Sequence, residues 1–334
     1  MRCWQINSSG GIDALERVER QSPSLRSGQV RIRVRASSIN YRDYATIRDP
    51  QARGLRFPTV PNSDAAGDVV EVGPGMTSVS VGDRVSSCFF QNWLDGPCST
   101  QAMQSALGGA LDGVLAEEVV LSQNGILPIP RHLNYAQGAT LPCAGLTAWN
   151  ALVETTRMKA GETVLLLGTG GVSIFALQFA RILGLRVIIT SSSDEKLAVA
   201  REMGAWQTIN YRDTPDWHTA VIDLTDGVGV DAVVEVGGAG TLTQSIEACR
   251  VSGCIALIGV LTGGSIDPTA IMRKSIMLKG VYVGSRRMFE DMNRAIGFHQ
   301  LQPVVHQEFP FDEARGAYHT MAAGSHLGKL VINC

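Results

Sequence analysis

The chain has no Cys-x-x-Cys pair. Its seven cysteines, at 3, 88, 98, 143, 249, 254 and 334, are odd in number and scattered through 334 residues. That spacing argues against a disulfide framework, so reduced thiols are expected. None of the six histidines, at 132, 218, 299, 306, 319 and 326, lies in a metal-ligand pattern. No apolar run approaches the ~20 residues of a membrane span. Nor is there a surplus of positive charge: the formal net charge is -2. That leaves no electrostatic footprint for nucleic acid and no polybasic membrane patch. The opening MRCWQINSSGG lacks a charged-then-apolar leader. A cytoplasmic protein is the expectation.

What is plentiful is glycine, 36 residues, beside 45% hydrophobic and 18% charged residues. Glycine at this level fits many tight turns and close backbone approaches. At ~150 residues per domain, the length suggests about two domains. In GQVRIRVRASSIN (28–40), Val30, Ile32 and Val34 alternate with Arg31, Arg33 and Arg35, which predicts a strand with one buried and one wet face. A Gly73-Pro74-Gly75 turn follows inside AAGDVVEVGPGMTSVSVGDRVSS, and GVLAEEVVL is a further short strand. Short strands with glycine and proline between them predict a partly closed barrel.

From about residue 132 the period changes. Apolar runs alternate with helical segments, and strands are expected near 163, 186, 206, 231, 254 and 277. Strand–helix alternation of this kind predicts a six-stranded, doubly wound parallel sheet. Beyond 285, two helical segments (286–299 and 312–323) lead to a last strand, GKLVIN, expected to return to the first domain. The expected division is residues 1–130 and 285–334 for the β-rich domain and 131–284 for the α/β domain.

In LLLGTGGVSIFAL, Gly168, Thr169, Gly170, Gly171 and Val172 follow a strand and open a helix. This is the layout of a dinucleotide loop. Gly168 permits the tight turn, Gly170 lets a pyrophosphate approach the backbone, and the helix N-terminus offers N–H groups to it. The sixth fingerprint position is Ser173, not glycine. A carboxylate ~20 residues on would select NAD. Here Ser191, Ser192 and Ser193 stand instead, with Asp194 read as a helix-capping residue and Lys196 in the first helical turn. Serines and a lysine suit a 2′-phosphate, so NADP(H) is expected.

Four stretches, SSINYRDY (37–44), PNSDAAGDVVEVGPGMTSVSVGDRV (61–85), ATLPCAGLTAWNAL with GTGGV, and GSHLGKLVI, resemble the medium-chain dehydrogenase/reductase superfamily. The nearest resemblance is to zinc-free quinone oxidoreductase and alcohol dehydrogenase-like members. It implies a Rossmann domain joined to a GroES-like domain. It also implies cofactor contacts from Thr147, Tyr211, Gly237, Val260 and Lys329. Tyr211 could equally be a surface aromatic, and Lys329 a solvated lysine.

The zinc members place cysteine, histidine and cysteine where this chain has Asn40, Ser63 and Cys143. One thiolate cannot hold a catalytic zinc, which takes three protein ligands. The segment 86–116 carries only Cys88 and Cys98, so a structural zinc lobe is not expected either. Without a Lewis acid, hydride transfer needs an already electrophilic acceptor such as a quinone, enone or activated aldehyde. Asn40, Tyr41 and Ser63 are the candidates for meeting oxyanion charge. Arg42 and Asp43 read better as a salt bridge orienting this loop. FFQNW (89–93) offers either aromatic walls for a flat acceptor or a packed loop.

No tyrosine has lysine four residues later, which excludes the short-chain dehydrogenase pair. Alternatives are a zinc-free alcohol/aldehyde or enoyl-thioester reductase, or an NADPH-binding sensor with little turnover. Cys143 reads as a small buried residue, not a nucleophile. An apolar sixth strand at the sheet edge suggests a homodimer.

Overall fold

The computed structural model describes residues 1–75, 79–259 and 261–334. The chain divides into two compact units: Met1–Leu146 with Val283–Cys334, and Thr147–Tyr282. The first boundary therefore lies at 146/147 and not at 130/131. Packing is the reason. The helix Tyr135–Ala139 lies against the first unit's sheet, and Leu141 and Ala144 after it are buried.

The strands are numbered along the chain. The first seven are β1 (Arg2–Ile6), β2 (Leu15–Glu19), β3 (Gln29–Ile39), β4 (Asp64–Val72), β5 (Arg84–Ser87), β6 (Glu118–Ser122) and β7 (Ile126–Pro128). Then come β8 (Thr163–Leu166), β9 (Arg186–Ser191), β10 (Gln207–Asn210), β11 (Val230–Glu235), β12 (Cys249–Leu257) and β13 (Met277–Gly280). The last two are β14 (Val305–Pro310) and β15 (Lys329–Asn333).

In the first unit β1 pairs with β2, and a seven-stranded sheet runs β14-β15-β3-β4-β5-β7 with β6 also on β3. β4 pairs with β3 over most of its length, from Val30 to Ser38. The other edge of β3 is shared: Gln29–Arg33 pairs with β6, and Ala36–Ile39 pairs with β15. The C-terminal segment thus returns to the first unit. In β3, Val30, Ile32 and Val34 are buried and Arg33 and Arg35 exposed, the two-faced strand expected from the sequence. From Ala36 to Asn40 the alternation stops and every residue is buried. There the strand runs into a polar cluster.

FFQNW is a packed loop. Phe89 and Phe90 are 1% and 2% exposed and meet edge to face at 4.7 Å, with Trp93 5.6 Å beyond. The rings fill one another's space.

The second unit is a doubly wound sheet in the order β10-β9-β8-β11-β12-β13, every pair parallel. The six strands lie where the sequence predicts them. Both faces are covered, and Leu165, Ile188, Val233 and Ile255 pack with Val221 and Ile246 from the helices Trp217–Leu224 and Ala239–Ala248. The strand order reverses between β8 and β11. Ligands of such sheets bind beyond the strand C-termini at this switch point. β13 is an edge strand, with Met277 50% exposed.

Candidate active site

The polar cluster of the first unit is assembled by three strand ends and one π-helical turn. Asn40 ends β3 and caps the helix Tyr41–Arg48, its N–H donating to Asp43 Oδ2 at 2.9 Å. Asp43 is fully buried and paired with Arg42 at 3.2 Å. Arg42 also donates to the Leu107 carbonyl at 2.7 Å and lies over the Phe89 ring. The expected Arg42–Asp43 salt bridge is therefore present, and it anchors this loop.

Ser63 precedes β4 and donates to Asp64 Oδ1 at 2.6 Å. The backbone N–H of Cys143, in the turn Leu141–Gly145, donates to Asp64 Oδ2 at 3.0 Å. From β15, Lys329 donates to Asn40 Oδ1 at 2.5 Å and to the Ile39 carbonyl. The Asn40 amide NH2 faces Ser63 Oγ at 3.5 Å. Asn40, Ser63 and Cys143 do come together. Lys329 is not a solvated lysine, being only 3% exposed. Tyr41 is partly exposed, its ring edge to face with Tyr44 at 5.8 Å.

Residues 61–64 are held in shape by their own contacts. Asn62 has φ of 69°, donates to Ser37 Oγ at 2.9 Å, and accepts from the buried Tyr318 hydroxyl. Ser37 donates on to the Asp64 carbonyl at 3.0 Å. Gly113 backs this turn so closely that a Cβ would sit 2.2 Å from the Pro61 and Asn62 carbonyl oxygens. A side chain at 113 would displace the turn and with it Ser63.

Burial sets the electrostatics. It raises the Asp64 carboxyl to about 6, against the pull of the Lys329 ammonium and the Ser63 and Asn40 hydrogen bonds. Burial also raises Asp43, with Arg42 opposing it. The Lys329 ammonium is lowered by burial and partly restored by Asp64. The Cys143 thiol is pushed well above its ordinary range by its dense surroundings, then by Asp64. A thiol so raised is a poor nucleophile at neutral pH. Cys143 is partly exposed, less buried than expected.

A zinc ion, as in the metal-bearing members, does not fit this donor set. Zinc takes thiolate, imidazole or carboxylate ligands. The Asn40 carbonyl is already bonded to an ammonium and Ser63 is a neutral hydroxyl, so of the three positions only Cys143 offers a zinc-ligand type, where a catalytic zinc takes three.

The dinucleotide site lies in the second unit. Gly168 follows β8 with φ of 70°, and its N–H donates to Thr190 Oγ1 at 3.3 Å. Thr169 is buried, whereas Gly170 is exposed at the N-terminus of the helix Gly171–Ile182, which includes Val172. No side chain caps that end, as expected of a terminus that receives phosphate. Ser173 is accommodated by donating to the Leu167 carbonyl at 2.6 Å. Ser191 ends β9. Its carbonyl accepts from Tyr211 N–H at 3.0 Å, and its hydroxyl accepts from Ser193 N–H at 3.4 Å. Ser192 and Lys196 are partly exposed beside them, and Tyr211 is exposed. Ser193 is the cap of the helix Asp194–Glu202. Asp194 is not the cap; it accepts from Asn210 Nδ2 at 2.9 Å. Thr147 is buried. Val260 lies outside the described residues.

Three further residues escaped the sequence reading. Asp64 and Arg212 sit beside residues that were singled out. Arg212 adjoins Tyr211, is exposed, and donates its backbone N–H to Asn210 Oδ1 at 3.1 Å. Glu235 ends β11 fully buried. Its Oε1 accepts from Gly237 N–H at 2.7 Å, Gly238 N–H at 3.1 Å and Thr241 Oγ1 at 2.6 Å, and its Oε2 from Ser245. It fixes the loop carrying Gly237 at the switch point. An unusual density of backbone and hydroxyl donors just after an apolar strand, EVGGAGTLTQS, was the available signal.

Comparison with known proteins places these units. The profile of alcohol dehydrogenase GroES-like domains matches residues 26–131, and that of zinc-binding dehydrogenases matches 171–297. A zinc-type alcohol dehydrogenase-like protein of Schizosaccharomyces pombe is 41% identical over 96% of both chains. A quinone oxidoreductase of Rattus norvegicus is 27% identical over 99% of this chain and 97% of its own. Among solved structures, an NAD-dependent alcohol dehydrogenase matches with TM-score 0.92 at 30% identity over 100% of both chains. A mycobacterial protein solved with NADPH matches with TM-score 0.85 at 27% identity, also over 100% of both. The chain belongs to the medium-chain dehydrogenase/reductase superfamily.

Proposed function

We propose that the chain is an NADPH-dependent oxidoreductase that delivers hydride to a quinone, an enone or another activated carbonyl without zinc. The observation that carries this is the Asn40–Ser63–Cys143 set, in which an amide carbonyl bonded to an ammonium and a neutral hydroxyl stand beside a single cysteine. An acceptor that needs no Lewis acid follows from it. The quinone oxidoreductase among the relatives supports the same substrate class.

The helix N-terminus after Gly170 would take the pyrophosphate. Ser191, Ser192, Lys196, Tyr211 and Arg212 would take the 2′-phosphate, and Thr147, Gly237, Val260 and Lys329 would border the nicotinamide side. When bound, the cofactor supplies the hydride. Hydride addition leaves negative charge on the acceptor's oxygen. Of the three expected donors, Ser63 is fully buried with its hydroxyl proton on Asp64. The Asn40 amide and the partly exposed Tyr41 hydroxyl are then the groups to meet that oxygen. The Tyr41–Tyr44 pair would supply the apolar contact for a flat acceptor.

NADPH consumption with a panel of quinones, enones, enoyl thioesters and aldehydes tests the reading. At least tenfold higher kcat/KM with NADPH than NADH is expected, reduced by Lys196→Ala. No acceptor-dependent consumption across the panel would favour a cofactor sensor, and about one zinc per chain would overturn the metal-free site. A homodimer paired along β13 is part of the proposal; sedimentation of a monomer at micromolar concentration would refute it.

A further inference from the structure

We propose that Lys329 is a positioning residue, which sets the direction of the Asn40 amide and so makes its NH2, not its carbonyl, the group offered to the acceptor. An asparagine amide can sit either way round, with its oxygen and nitrogen exchanged. Here the choice is dictated by the neighbours. An ammonium has three N–H donors and no acceptor, so it can bond only the amide oxygen. Lys329 is buried, and a second bond to the Ile39 carbonyl fixes its nitrogen at the end of β3. The amide NH2 must then face the opposite side, towards Ser63 Oγ at 3.5 Å. Ser63 commits its only hydrogen to the bond with Asp64, so it presents lone pairs to that NH2 and does not compete as a donor. The chain of bonds thus runs one way, from the ammonium through Asn40 to Ser63 and Asp64. Reversing the amide would turn its oxygen towards the developing negative charge, which repels it.

The inference rests on the proposed reaction, in which the acceptor's oxygen meets Asn40. With the acceptor identified by the panel assay, kcat, KM and the Kd for NADPH are measured for Lys329→Met, Lys329→Arg, Asn40→Asp and Asn40→Asp/Lys329→Met. Lys329→Met should lower kcat about a hundredfold, the scale of one lost oxyanion donor, with a much smaller effect on NADPH Kd. Lys329→Arg should recover most of it. Asn40→Asp, which keeps an oxygen for Lys329 and loses the NH2, should lose as much. The double variant should lose little more than either single one, because both act on one amide. Multiplying losses, or a tenfold weaker NADPH Kd with unchanged kcat, would overturn the proposal and make Lys329 a cofactor contact alone.

A readout free of turnover separates this from the reaction itself. In protein labelled with 15N-asparagine, the side-chain signal assigned by its loss in Asn40→Asp should be a single slowly exchanging NH2 pair. Lys329→Met should shift or broaden it, and Lys329→Arg should restore it. An unchanged signal in Lys329→Met refutes the positioning role even if no acceptor is found, whereas a wild type inactive on every acceptor refutes only the reaction.

Discussion

Each unit buries one carboxylate at a strand end, and the two are treated differently. Glu235 ends β11 and is met by two backbone N–H groups and two hydroxyls. Asp64 begins β4 and is met by one hydroxyl, one backbone N–H and the Asn40 amide, with an ammonium nearby. A carboxylate surrounded by donors is a fixed anchor, because its negative charge is answered on every side. A carboxylate with fewer donors, raised to about 6, sits near the point where it changes charge. The first holds the cofactor loop still. The second leaves the substrate side sensitive to the state of one proton.

The comparison can be broken most severely at Glu235. Glu235→Ala leaves two N–H groups and two hydroxyls buried without their acceptor. The expected loss is on the order of 3 kcal/mol or more in chemical denaturation, with cofactor affinity falling alongside. Asp64→Asn should give a smaller effect that depends on pH. The folded chain holds the Asp64 proton more tightly than the unfolded chain does. The stability it contributes is therefore present below about pH 4 and lost as pH rises through about 6. Wild type should lose up to about 3 kcal/mol relative to Asp64→Asn across that window. A Tm difference that stays flat with pH would contradict the assignment.

Removing one hydroxyl from each carboxylate sharpens the contrast. Ser63→Ala and Thr241→Ala should each cost about 1 kcal/mol. Ser63→Ala should move the pH dependence upward, since a hydrogen bond that favours the charged Asp64 is lost. The smallest effect is expected at Cys143. Cys143→Ala should leave turnover within about tenfold, and Cys143 should react with a thiol reagent at pH 8 more slowly than exposed Cys98.

How much was legible follows from the range of the interactions. The six strands of the second unit and the turn at Gly168 could be read because each is coded locally, by an apolar run, a glycine and a helical period. The alternating face of β3 was legible for the same reason. The switch to full burial after Ala36 was not, since it depends on β15, nearly the whole chain away. GKLV leaves Lys329 open between a cofactor contact and a solvated lysine, because nothing in it shows that β3 and the asparagine after it will lie beside it. Asp64 was overlooked beside Ser63, where attention went to the missing histidine. FFQNW stayed open between aromatic walls and a packed loop because composition alone does not say which way a ring points; the rings pack on one another. The expected boundary at 130/131 falls short of 146/147 because the change of period near 132 precedes the point where the chain changes unit.

The pairing of β15 with β3 also has a consequence for the order in which the molecule can be made. The second unit is complete once residue 282 has been synthesised, and all its strands are then available to pair. The first unit begins earlier but waits for β15 (Lys329–Asn333) to close against Ala36–Ile39. Until then Asn40 lacks its ammonium partner, and part of the β3 edge stands open. During synthesis the second unit can therefore fold while the first is still unfinished. The residues that finish the polar cluster emerge after every strand of the second unit.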